Sequence, residues 1–156
     1  MSRDEELVET WSIHNRIHLY LLAEIDAAHL GDKTGGKGRS VGEQLAHLHN
    51  VRLMWLQSAA ADLLAGLTKI EKEGALDKAA LAAGLEASGQ AIASLLARAL
   101  AGDGRIKGFK PHAAAFLGYL IAHEAHHRGQ VIVSLKLAGH PISKKVGFGL
   151  WEWGVR

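Results

Sequence analysis

Ile121-Ala122-His123-Glu124-Ala125-His126-His127-Arg128-Gly129-Gln130 is the stretch on which both the fold and the chemistry turn. Apolar turns flank it, Phe116, Leu117 and Leu120 before it and Val131, Leu135 and Leu137 after it. In a helix each residue advances about 100°, so His123 and His127 fall within roughly 40° of each other. Two imidazoles one turn apart on one face can close on a single divalent cation, the spacing that makes paired helical histidines a metal signature. Two such ligands do not make a stable site, so a third must come from elsewhere in the chain.

Working outward, the motif lies in a helix expected over about 111–138, opened by Pro111 at its first position and stopped by Gly139-His140-Pro141. Three more helical patterns precede it, over 4 to about 30, about 41 to 65, and 76 to 100. Asp4, Glu5 and Glu6 favour the first helix's positive end, and Ser40 with Glu43 fits a capping box opening the second. The third is alanine-rich and carries no histidine, so it reads as scaffold, although Gly84 and Gly89 each weaken it by roughly 1 kcal/mol. Gly31 to Arg39 is a glycine-rich, basic surface loop, and Thr68 to Gly74 a charged connector. Val131-Ile132-Val133 alone looks strand-like, and it sits inside a longer helical pattern. The expectation is an all-α four-helix bundle forming one domain over 1–156, a fold that builds metal sites from inward side chains on facing helices.

Composition narrows the function. A formal charge of +2 with no basic block gives no electrostatic case for nucleic acid. There is no cysteine, so a thiolate metal site is excluded and any nucleophilic thiol must arrive on a cosubstrate. The charged N-terminus lacks an apolar signal core, and the nearly uncharged run Ala113 to Ala122 is too short to span a bilayer. These readings give a soluble cytoplasmic protein as the expectation, with no membrane partner.

Candidates for the third ligand lie on the first two helices. His14 and His18 form a rival i, i+4 pair, read more simply as a polar flank or a partly exposed stripe. On the second helix His47 and His49 are two residues apart and point in different directions, so at most one readily faces the bundle interior. Periodicity does not choose between them. His123-Glu124-Ala125-His126-His127 also satisfies H-E-x-x-H, in which Glu124 would be the general base of a zinc protease. The absence of a convincing sheet and of a third ligand of protease type counts against that reading. The tail carries Phe148, Trp151 and Trp153, which fit either a segment laid over a groove or a subunit interface.

The segments Ser40-Val41-Gly42-Glu43-Gln44-Leu45-Ala46-His47-Leu48, running on to Arg52 and Trp55, and His123 to Gln130 together resemble the DinB-like (DNA-damage-inducible, YfiT-like) family of metalloenzymes. The resemblance spans essentially the whole chain and is most specific at H-x-x-x-H-R-G-Q. It implies a four-helix bundle holding zinc or nickel on three histidines: His123 and His127, with His47 the better match on the second helix and His49 the alternate. It makes His126 a neighbour of the ligands or a pocket residue, and has Arg128-Gly129-Gln130 support the helix pair. It also implies a small-molecule substrate, a low-molecular-weight thiol as cosubstrate in a transferase or isomerase, and a homodimer. Glu124 is then a candidate proton acceptor or partner of a ligand imidazole, unless it faces solvent. Hydrolysis by metal-bound water, and a non-catalytic metal-binding stress-response module, are the alternatives.

Overall fold

The computed structural model describes residues 1–156 and contains helices and loops only. Four long helices, α1 (Arg3–Glu24), α2 (Val41–Ala59), α3 (Lys78–Ala101) and α4 (Ala113–Leu137), are followed by a short α5 (Lys144–Gly149). Packing is extensive for α1 with α3, α3 with α2, α2 with α4, and α4 with α1, which sets the order around the bundle. The helix bearing the central motif is thus the direct neighbour of the helix bearing His47 and His49.

Local chemistry fixes the helix ends. Ser40 accepts a hydrogen bond from the Glu43 amide and the Glu43 carboxylate accepts one from the Ser40 amide, completing the expected capping box. Ser2 and Glu5 form a second box at the start of α1. Each such cap is worth on the order of 1 kcal/mol. Elsewhere the boundaries differ from the periodic pattern. α1 ends at Glu24 instead of about 30, because Ile25 turns extended and the Asp26 side chain takes the Ala28 amide to start a separate 3-10 turn. α2 ends at Ala59, where Ala60 leaves helical geometry ahead of another 3-10 turn; the alanine–leucine run there carries no stop residue for periodicity to register. α3 starts at Lys78 under an Asp77 cap, leaving Leu76 exposed. At α4 the cap is His112, whose Nδ1 accepts from the Ala115 amide, so Pro111 lies outside the helix. Gly139, with φ of +86°, ends that helix as expected.

The two glycines inside α3 are packing devices. A Cβ at Gly89 would collide with the Asn15 amide of α1, and one at Gly84 would press on Ile70 and His49. By hydropathy and length α3 could cross a membrane, although Glu86 interrupts its apolar run. Its apolar stripe, Leu81, Leu85, Ile92, Leu95 and Leu96, is buried in the bundle. The tail does two things at once: Val146, Gly149 and Leu150 pack down, while Phe148 and Trp151 stay exposed. Arg156 lies 3.7 Å over the Tyr20 ring and ties the chain end to α1.

The core is divided. One apolar cluster holds Ile17, Leu48, Leu85 and Val131, and the other holds Trp11, Leu56, Ile92 and Leu120. Between the two, every long helix contributes a buried polar residue: His14 and His18 from α1, Arg52 from α2, Ser88 from α3, and Glu124 and His127 from α4. Burying that stratum costs free energy unless its members satisfy one another, so their partners decide what each is for.

Candidate metal centre

α2 and α4 bring His47, His123 and His127 together, with one nitrogen from each lying within 4.8 Å of the others. The ring centroids of His47 are 5.4 Å from His123 and 4.5 Å from His127, and the rings meet edge-on. A tetrahedral ion with metal–nitrogen bonds of about 2.0–2.1 Å sets its nitrogens roughly 3.4 Å apart, so a small adjustment of rings already in place would close the set.

The three side chains are prepared as donors. Burial, then neighbouring positive charge, lowers the affinity of His47 for a proton and brings His127 down to about 4; at His123 burial also lowers it, against the opposing charge of Glu124. At neutral pH all three therefore present lone pairs. His127 is further fixed in one tautomer: its Nδ1–H donates to Gln44 Oε1 at 2.6 Å, which frees Nε2 to bind. Gln44 in turn donates to Gln130 Oε1 at 2.6 Å, and Gln130 donates to His126 Nε2 at 2.7 Å. His123 Nδ1 is buried with no partner at all, an orphan that a bound ion's surroundings would have to explain. The donor set, the tautomer lock and the orphaned nitrogen fit a divalent cation.

The remaining candidates go elsewhere. His49 is buried with Nδ1 at 2.9 Å from the Gly84 carbonyl and Nε2 at 2.7 Å from the Thr68 carbonyl, so it ties α2 to α3 and to the 60s connector, with both ring nitrogens turned to backbone carbonyls. His126 is exposed and spent on Gln130. Glu124 neither faces solvent nor hydrogen-bonds a ring of the triad. Its Oε1 accepts from Arg52 Nε at 2.7 Å, and its Oε2 from Arg52 Nη2 at 2.8 Å and from His14 at 2.9 Å. His18 approaches the same Oε2 at 3.0 Å. Burial pushes the Glu124 carboxyl up, but Arg52 and the two histidines outweigh it and hold it well below the usual carboxylate range. A carboxylate so engaged is a poor proton acceptor, which removes the role expected of Glu124 and with it the protease reading.

His14 and His18 are not a polar flank either: both are fully buried, and burial drives His18 down to about 3. With Glu124 they too place ligand atoms within 4.8 Å, but the Arg52 guanidinium already pairs with both carboxylate oxygens. A third group, His29, Asp32 and His140, lies at the surface; its two rings stack 3.6 Å apart and nearly parallel, so their in-plane lone pairs run side by side instead of converging.

Sequence reasoning gave Gln130 only as a support of the helix pair, and gave Gln44 and Arg52 no role in the site. Each stood inside a quoted motif; what a sequence lacks is the cross-helix pairing, since Gln44 and Gln130 are separated by 86 positions and Arg52 and Glu124 by 72. A cavity of about 840 Å³ lies between the end of α3 and the 102–111 loop and shares no residue with the three histidines.

An all-helical bundle in which neighbouring helices gather three neutral imidazoles is one in which a histidine-rich group could hold a metal ion. The chain belongs to the DinB family, whose model matches residues 1–144. No curated protein matches it.

Proposed function

We propose that this chain is a metal-dependent enzyme in which His47, His123 and His127 hold zinc or nickel and a low-molecular-weight thiol is transferred to, or rearranges, a small-molecule electrophile. The observation that carries the reading is a set of three neutral, mutually facing imidazoles with no carboxylate among them. A divalent ion on three neutral ligands keeps its full charge and an open position, and so supplies Lewis acidity able to deprotonate a coordinated thiol. The chain itself offers no thiol, so the nucleophile must be delivered. Gln44 sets the tautomer of His127, and Gln130 sets the orientation of Gln44. Arg52 and Glu124 bridge the same two helices that carry the ligands, fixing their separation.

The test loads the protein with zinc or nickel and offers a panel of small thiols with a chromogenic aryl halide, beside a chromogenic ester without thiol. Thiol-dependent, metal-dependent consumption of the aryl halide, absent in His127→Ala, is the expected result. Ester hydrolysis alone would replace transfer by hydrolysis through metal-bound water, and inactivity toward both with metal retained would favour a binding module.

We also propose that the chain pairs with a second copy through the apolar surface that includes Phe148 and Trp151, 71% and 78% exposed. Light scattering that gives the monomer mass, 16.7 kDa, at micromolar concentration would refute it.

A further inference from the structure

His47 has a second environment. Besides facing His123 and His127, it lines a groove of about 580 Å³ running between the 31–39 loop and the 65–77 connector. Five cations line the same groove, Lys33, Lys37, Arg39, Lys69 and Lys72, against two carboxylates, Glu43 and Glu71. Against a chain-wide net charge of only +2, that is a strong local excess. The two carboxylates offset part of it, Glu71 from 3.7 Å beside Lys69 and Glu43 from the cap of α2, and five cations against two anions leave an excess of three positive charges. Lys33, Lys37, Arg39 and Lys72 take part in none of the chain's ion pairs.

Both walls are anchored. Asn50 of α2 exchanges two hydrogen bonds of 2.9 Å with the Ile70 backbone, which holds Lys69 and Lys72 beside α2. On the other side the Val41 amide donates to the Asp32 carbonyl and the Gly42 amide to the Leu30 carbonyl, pinning the ends of the basic loop. Arg39 stands close enough that its charge is felt by all three ligand histidines. An ion on neutral ligands beside unpaired cations leaves the whole mouth positive, and a cleft lined by one sign of charge concentrates ligands of the other.

We propose that this groove binds the anionic part of the substrate or thiol, a small dianion bearing carboxylates or a phosphate-type group, and so presents the neutral remainder of the molecule to the three-histidine site. The inference rests on the metal reading for what the anion is presented to, while the groove itself is made of the chain's own charges. A small ligand fits better than a nucleic acid strand, because the groove is closed in by two loops and its cations do not continue as a stripe.

Calorimetric titration of the metal-free and the zinc-loaded protein tests it, with sulfate standing for a phosphate-type group, succinate for a dicarboxylate, and uncharged succinamide as control. Both dianions are expected to bind saturably even without metal, their relative affinity separating the two kinds of anion, and succinamide to show no binding. Arg39→Gln with Lys72→Gln should weaken the dianions about thirtyfold, since two solvent-screened charges are removed from the groove, and leave zinc stoichiometry unchanged. No saturable binding to the metal-free protein, equal affinity in the double variant, equal binding of succinamide, or binding of a single-stranded oligonucleotide with neither dianion would overturn it. Failure of the wild type to take up zinc would instead sink the metal reading, and the metal-free titration would still decide the groove.

Discussion

On one side of α4, His123 and His127 meet His47 of α2; from the residue between them, Glu124 turns inward to His14 and His18 of α1 and Arg52 of α2. Both clusters are built on histidines four apart; the inner one is buried throughout, whereas His47 and His123 of the outer one are only half-buried. They differ in the fourth partner. The inner cluster contains a carboxylate and a guanidinium, so its charges cancel internally and a cation would have to displace Arg52. The outer cluster contains imidazoles only, with one nitrogen locked by Gln44; both clusters leave buried imidazole nitrogens without a partner, Nδ1 of His14 and His18 in the inner one and Nδ1 of His123 in the outer one. Spacing makes a pair of histidines able to chelate; whether they do depends on what already satisfies them.

The largest expected effect falls on the inner cluster. Arg52→Ala leaves Glu124 buried and uncompensated, and should cost about 3–5 kcal/mol in urea unfolding, enough to unfold a marginal domain. A loss under about 1 kcal/mol would mean that the stratum is not held by this pair. On the outer cluster the effect should be on affinity. His127→Ala is expected to weaken zinc binding by more than about a hundredfold while the metal-free protein keeps its helical circular dichroism.

Acid should separate the clusters from basic conditions through the inner one. The His18 pKa is depressed from 6.5 to about 3 in the folded chain. The unfolded chain therefore takes up a proton first as pH falls below about 6.5, so stability is complete above that pH and declines toward 3. For His18 alone the decline amounts to about 2 kcal/mol by pH 5, and Glu124, depressed as well, adds to it once pH falls through the carboxylate range. Metal-free protein whose unfolding midpoint does not move between pH 7.5 and pH 5 would contradict the buried, neutral assignment. The smallest effect belongs to the tautomer lock: Gln44→Leu should weaken zinc about tenfold and cost the metal-free protein about 1 kcal/mol for the buried His127 N–H it leaves unpaired.

How much of this was legible beforehand follows from the kind of signal each element leaves. The four long helices announce themselves by periodicity, and the Ser40–Glu43 box by its residue types, because those causes are local. Helix ends were overrun where a local competitor, such as the Asp26 side chain or the irregular Ala60, carries no periodic mark. His123 and His127 are legible as a pair because one turn of helix joins them. The choice between His47 and His49 was not, since both sit next to apolar positions on α2; it is set by the Gly84 and Thr68 carbonyls, which occupy His49 from elements distant in sequence. Glu124 misled for a similar reason: H-E-x-x-H reads as one face, yet the 100° step from His123 aims its carboxylate at α1 and Arg52.

The most direct measurement is zinc content per chain after equilibrium dialysis of the wild type, His47→Ala and His49→Ala. One ion in the wild type and in His49→Ala, with loss from His47→Ala, is the predicted result. Wild-type zinc retained by His47→Ala would contradict the three-histidine centre.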